Sequence, residues 1–346
     1  MKLYKQITII ILIIFFKTET VFSENNLFNV NNIELEKKGK ISNNSLTNRA
    51  IKKGFNQLIA KILLKQDSEK ISDLNFSTIK QLVTYYQVSN TFDEEERELV
   101  NYSITFDKEK IHNLFYKEGI SYSEILDKEL YILPVLIKDN EIFIFNNNFF
   151  YENWNNYYEN ELIEFILPIE NIEIIQSINT NKNNLISLNI KNLFREYQNK
   201  NLTFVLIEDN NLTKKIYLKS IIQGKNISKS LNIKKKNNEK EDYKQIIIES
   251  KKELINLVKS KNLIDIRTPS FLNVKFDLKK ESNLVELNLR IKNIDLIENI
   301  YVQEFNKEYM SLRIKYLGKL EKIIYQLKKE NVRLQLKNDQ WIIETL

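Results

Sequence analysis

Residues 130–137, Leu130-Tyr131-Ile132-Leu133-Pro134-Val135-Leu136-Ile137, run for eight positions without a charged or amide side chain. A strand with one wet face alternates apolar and polar residues, so a run that does not alternate predicts a central strand covered on both faces. Pro134 has no N–H to give to a ladder and points to a strand edge or a bulge. Ile142 to Phe145 is the expected partner, reached through the polar turn Lys138-Asp139-Asn140-Glu141. Further on, the pattern predicts a helix over 151–160 and a strand over 165–169, with helical stretches near 170–178 and 188–198. Strands over 202–207, 215–223 and 227–233 complete an α/β module spanning 130–233.

On the N-terminal side, residues 24–125 read as an α+β module. An extended segment over 27–35 is followed by a helix in which Ala50, Phe55, Leu58, Ile59 and Ile62 recur at three and four. A short helix near 77–82 and strands over 84–92 and 99–106 come next. A helix over 108–117 is stopped by Gly119, a natural left-handed residue after a helix end. On the C-terminal side, 234–242 contains no apolar residue and reads as a linker. A third module, 243–346, is expected to open with a helix over 243–259. Val274 to Leu278 and Leu284 to Ile291 are the next patterned runs, then a short helix over 294–299, strands over 300–305 and 309–316, a helix over 319–329 and a closing hairpin. Trp341, in that hairpin, is expected to dock on the 319–329 helix. The fold class expected is α+β and α/β: three small sheet-plus-helix modules in series, with no large parallel doubly wound sheet.

The composition removes whole classes of chemistry. The 346 residues include no Cys and one His, which excludes disulfide scaffolds, thiolate metal sites, Cys nucleophiles and His-rich metal centres. Five glycines leave no room for a phosphate-binding glycine loop or a G-x-S-x-G elbow. A net charge of +6 is small for this length, and the excess of Lys over Arg, 45 to 7, follows the general abundance of Lys, Asn and Ile rather than a clustered basic face. Nucleic acid is therefore not an expected partner. Lys2 and Lys5 precede the ten-residue run Ile7 to Phe16, and Val21 and Ser23 supply small residues three and one positions before a cut at Glu24. Ten residues fall short of the roughly 20 needed to span a bilayer. Residues 1–23 thus read as a cleaved secretory signal, leaving no stable transmembrane span, and the expected location is the periplasm or the exterior.

The order of segments resembles a family of secreted bacterial proteins, domain of unknown function 2066. The features that carry the resemblance are Asn48-Arg49-Ala50 opening a helix, the strand Val100-Asn101-Tyr102-Ser103-Ile104-Thr105-Phe106-Asp107, the run 131–137, and the aromatic stretch Trp154-Asn155-Asn156-Tyr157. Phe165-Ile166-Leu167-Pro168-Ile169-Glu170 and a C-terminal segment closing on Trp341 complete them. The middle module is also similar to the α/β domain at the N-terminus of the periplasmic protein TolB. The resemblance implies an envelope location and supplies no activity.

Candidate chemistry is sparse. His112 is the one imidazole, and on an amphipathic helix it reads as a partly exposed or packed residue. Glu164, Glu170 and Glu173 are candidates for a carboxylate pair acting on cell-wall material, and the acidic tip Asp93 to Glu98 lacks the spacing of a calcium loop. Asn75 and Asn201 head N-x-[ST] triplets expected by chance in so Asn-rich a chain. The densest aromatic cluster contains Tyr151, Trp154, Tyr157 and Tyr158, which serve either as a recognition platform or as one helix face packed on a sheet. No catalytic residue, cofactor or metal is expected. The function expected is non-enzymatic binding of an envelope protein or a peptidoglycan-associated partner, with a carboxylate-dependent hydrolase as the alternative.

Overall fold

The computed structural model describes residues 27–37, 42–92, 98–158, 162–210, 213–234, 238–278 and 284–346. The expected signal segment, the tip 93–97 and residues 235–237 of the expected linker lie outside the described residues. The chain runs β1 (Asn29–Glu36), α1 (Asn43–Ile62), α2 (Lys65–Lys70), α3 (Phe76–Gln81), β2 (Val83–Phe92), β3 (Glu98–Phe106), α4 (Lys108–Glu118) and β4 (Tyr122–Ser123). It continues through β5 (Glu129–Lys138), β6 (Glu141–Phe143), α5 (Phe149–Asn153), β7 (Glu164–Ile166), α6 (Ile172–Thr180), α7 (Ile190–Leu193), β8 (Asn201–Asp209), β9 (Thr213–Ile222) and β10 (Lys225–Lys234). The rest is α8 (Glu239–Lys261), β11 (Leu263–Ile264), β12 (Ser270–Asp277), α9 (Leu284–Lys292), β13 (Ile297–Phe305), β14 (Tyr309–Tyr316), α10 (Leu320–Lys329), β15 (Val332–Lys337) and β16 (Gln340–Thr345). Helices and strands thus mix in several small sheets, as the patterning requires.

Two units emerge: one from Met1–Ile59, Ile71–Ile120 and Asp265–Leu346, the other from Ala60–Lys70 and Ser121–Ile264. The first holds two sheets. In the antiparallel sheet β1-β3-β2, helix α1 approaches so closely that a Cβ on Gly54 would stand 2.8 Å from the Cδ1 of Ile33. Helix α4 starts on Asp107, whose side chain accepts the Lys110 N–H, and stops on Gly119 at φ 63°. The second sheet has the order β13-β14-β12-β16-β15. Met310, Leu312, Ile314 and Tyr316 of β14 are buried and the residues between them are not, so this sheet is dry on one face only.

The middle unit is a mixed sheet, β10-β9-β8-β5-β6, in which β5 runs parallel to β8 and to the short β7, while β8, β9 and β10 form an antiparallel meander. Leu130, Ile132, Val205, Ile207 and Ile216 face helix α8 in one core; Leu133, Val135, Phe204 and Leu206 face α6 and α7 in another. The unbroken apolar run of β5 is therefore explained by cover on both faces.

Pro134 lies at a local edge within a central strand. It sits inside β5, opposite Val205. On its other side β7 pairs only with residues 129–131 and β6 only with 136–138, leaving a gap in the ladder at 134. Asn148, fully buried, fills the gap by donating its amide to the carbonyls of Pro134 (2.9 Å) and Ile144 (2.8 Å). No strand N–H is needed there, so proline costs nothing.

Three boundaries change. Helix α8 belongs to the middle unit's core through Tyr243, Ile246, Ile247 and Leu254, so it does not open a third module. The expected linker is largely ordered: β10 reaches Lys234, α8 begins at Glu239, and Asp242 is buried. Residues 284–291 form helix α9, and β13 starts at Ile297 where a short helix was expected. Val285, Leu287, Leu289 and Ile291 alternate like a strand, but only Leu287 and Ile291, four apart, enter the core, while Val285 and Leu289 remain exposed. Trp341 is half-buried on β16, opposite Val274 and Leu336, and the fully buried residue of that strand is Ile343. Helix α10 lies against β15 and contributes Ile323 and Leu327 to the core. Among the described residues no helix is long and apolar enough to cross a membrane.

Candidate functional site

The sheet of the middle unit has a charged end. The parallel register of β5 and β8 sets Lys138 opposite Asp209, and the antiparallel register of β8 and β9 sets Asp209 opposite Lys214. Because side chains alternate, this row of cation, anion and cation points to the same face as Leu136, Ile207 and Ile216, the face covered by α8. The carboxyl end of parallel strands is where open α/β sheets place their ligand sites.

Lys214 is completely buried and its ammonium lies 3.0 Å from Asp209 Oδ2. The Tyr243 hydroxyl of α8 donates to the same oxygen at 2.6 Å, and the Lys214 Nζ stands 4.0 Å from the centre of the Tyr243 ring. One turn earlier on α8, Glu239 pairs with Lys138 at 2.8 Å. Phe149 and Phe150 pack on the Tyr243 ring at 5.4 and 4.8 Å. Over this network opens a cleft of about 550 Å³, bounded by Leu136, Phe143, Phe149 and Tyr243, with Lys138, Glu239, Lys240 and Asn147 at its rim.

The electrostatics hold Lys138, Glu239 and Tyr243 each in one state. Burial, then the hydrogen bond to Asp209, pushes the Tyr243 phenol above its ordinary range. The hydrogen bond to Glu239 raises Lys138, and the same bond holds the Glu239 carboxyl below its usual value. None of the three changes protonation near neutral pH. A general acid or base is most effective when its pKa lies near the working pH. This network is therefore suited to presenting fixed charge beside an aromatic wall.

The aromatic residues singled out from the sequence do not assemble into a platform. Trp154 is fully buried, its ring 6.3 Å from that of Phe165. Tyr151 turns into the opposite core, donating to the Pro168 carbonyl at 2.7 Å and meeting Phe145 edge-on at 5.1 Å. Tyr157 stacks on Phe149 at 6.4 Å, and its carbonyl accepts the Lys251 ammonium at 2.7 Å. Tyr158 alone is exposed, at φ 58°. The α5 segment is shorter than the expected helix and divides its rings between two cores.

The other candidates are also scattered. His112 is buried with its ring 5.6 Å from Phe28, and burial pulls its pKa down to about 4. Glu170 accepts from Asn146 at 3.3 Å, Glu173 lies 4.0 Å from Arg195, and Glu164 stands exposed on β7. Asn201 is buried, donating to Asp127 and accepting from the Gln223 N–H, so its triplet is no glycan acceptor. The two carboxylates that do approach a shared group, Asp209 and Glu239 at Tyr243, were not singled out from the sequence. Lys138 read as a turn residue and Glu239 as linker, and only strand register together with the packing of α8 on the sheet brings these groups together. Among the described residues no group of three or more His, Asp or Glu side chains is placed to hold a metal ion. No protein-family model, curated protein or solved structure matches the chain.

Proposed function

We propose that the protein is a non-enzymatic binding protein of the cell envelope, and that its recognition site is the cleft over Lys138, Tyr243 and Glu239. The observation that carries the reading is the fixed protonation of that network beside an open aromatic cleft. The envelope location rests on the signal-like residues 1–23. A carboxylate hydrolase is disfavoured because one acid must be held protonated in an apolar setting, whereas Glu239 is held ionised by Lys138.

The absence of cysteine makes the test clean, since any introduced thiol is unique. Lys240→Cys at the cleft rim and Lys182→Cys, on the opposite side of the middle sheet, each carry a photocrosslinker into envelope extracts of the native host. A specific adduct from the rim position, absent from the control, supports the reading. Equal labelling from both positions, or native protein found outside the envelope fraction, removes it.

A further inference from the structure

The lining of the cleft narrows the ligand. Its inner surface is apolar and largely aromatic, made by Phe143, Phe149, the Tyr243 ring and Leu136. Such walls favour a flat ring, which packs on aromatic faces with more than its area alone would give. A volume of about 550 Å³ sits within the range of pockets for small molecules rather than for folded partners.

The residues lining the rim are two cations, Lys138 and Lys240, and one anion, Glu239, with Asp139 outside the lining but near enough to act on Lys138. Deeper, Lys214 and Asp209 neutralise each other. Lys240 is exposed and makes no ion pair among the described residues, whereas Lys138 is engaged by Glu239. Both partners of that pair keep substantial exposure, with side-chain accessibilities of 35% and 50%, so either can be released to water at small cost. An incoming anion meets one free ammonium and a second whose present partner is replaceable.

Resting on the cleft as the recognition site, we infer that its ligand is a small aromatic monoanion: the ring lies between Phe143 and Phe149, and the acidic group takes the place of Glu239 at Lys138 with Lys240 beside it. Glu239 is then a built-in competitor that the ligand must displace. A cation of the same shape is refused, because it would leave Lys138 and Lys240 facing a like charge.

The probes are 8-anilinonaphthalene-1-sulfonate, read by fluorescence on the full chain, and indole-3-acetate and tryptamine as competitors. The expectation is displacement by indole-3-acetate and none by tryptamine. An exposed ion pair is worth up to about 1 kcal/mol, or about fivefold in affinity. Glu239→Gln should accordingly tighten the sulfonate by up to about fivefold, and Lys138→Gln and Lys240→Gln should weaken it by a similar factor. Phe143→Ala and Phe149→Leu, with unchanged urea midpoints, should weaken both anions. Weakening by the Phe variants with no response to any charge variant overturns the monoanion and leaves the cleft as a binding site. Indifference to the Phe variants as well overturns both. Equal displacement by tryptamine overturns the charge selectivity.

Discussion

The middle sheet and the C-terminal sheet are built from similar strands but solve the problem of charge in opposite ways. In the middle sheet, helices cover both faces of the central strands β5 and β8, and a polar group buried there must find a partner inside. Lys214 has Asp209, and Thr203 has Ser220 at 2.9 Å. In the C-terminal sheet one face meets water. There Arg313 lies over the Phe271 ring at 4.2 Å and Lys275 over Tyr309 at 3.5 Å, with Phe271 and Tyr301 about half exposed. Buried Lys214 on the first sheet is held by Asp209 beside the cleft, whereas Arg313 and Lys275 on the second shield apolar surface and remain solvated. The same residue type therefore carries very different free energy in the two places.

The chain contains two tryptophans, Trp154 in the middle unit and Trp341 in the other, so each unit reports its own urea unfolding. The largest effect should come from Asp209→Ala, which strands the buried Lys214 charge and should cost about 3–5 kcal/mol in the transition seen by Trp154. Adding Lys214→Met should recover most of that loss, and failure to recover it would show that the pair does more than neutralise itself. Trp154→Ala should cost about 3–5 kcal/mol, against about 1–2 kcal/mol for the half-buried Trp341→Ala, both read by far-UV circular dichroism because each variant removes its unit's own fluorophore; equal costs would erase the contrast between the sheets.

Acid separates the units next. Folded His112 stays neutral to about pH 4, whereas in the unfolded chain it protonates near pH 6.5. The unfolded state thus binds the extra proton between these values, and stability falls as pH drops through that window, by about 3 kcal/mol in full. Above pH 4.5 this loss should appear in the unit reported by Trp341 and vanish in His112→Leu, with the Trp154 transition unmoved. A matching shift at Trp154 would mean that the units unfold together. The smallest effect is Arg313→Ala, expected to cost below about 1 kcal/mol as an exposed cation–π contact.

Much of the fold was legible because burial on one or two faces writes itself into local pattern: alternation in β14, an unbroken run in β5, helical spacing in α1 and a glycine stop after α4. Helix α9 misled, since Val285, Leu287, Leu289 and Ile291 satisfy a strand's period while only two of them face the core. Pro134 marked a break in the ladder without its cause, since the gap that admits it is made by β6, β7 and Asn148, none of which is adjacent to it in sequence. The cleft was illegible for the same reason. Lys138, Asp209 and Lys214 form a row only through the register of three strands, and in a chain this rich in lysine no single one stands out.

The two-residue strands β4 and β11 pair antiparallel, Tyr122 with Ile264 and Ser123 with Leu263, at the points where the chain enters and leaves most of the middle unit. Once that unit has formed, the stretch 124–262 is, for the host segments on either side, no longer a long flexible loop but a hairpin closed at its neck. Closure entropy for an open loop rises with the logarithm of its length. Folding of the insert therefore removes that entropic cost from the host, and Ile120 and Asp265 become close neighbours in effective chain length. With the neck closed, the segments 71–120 and 265–346 meet at a contact order far lower than their sequence separation suggests.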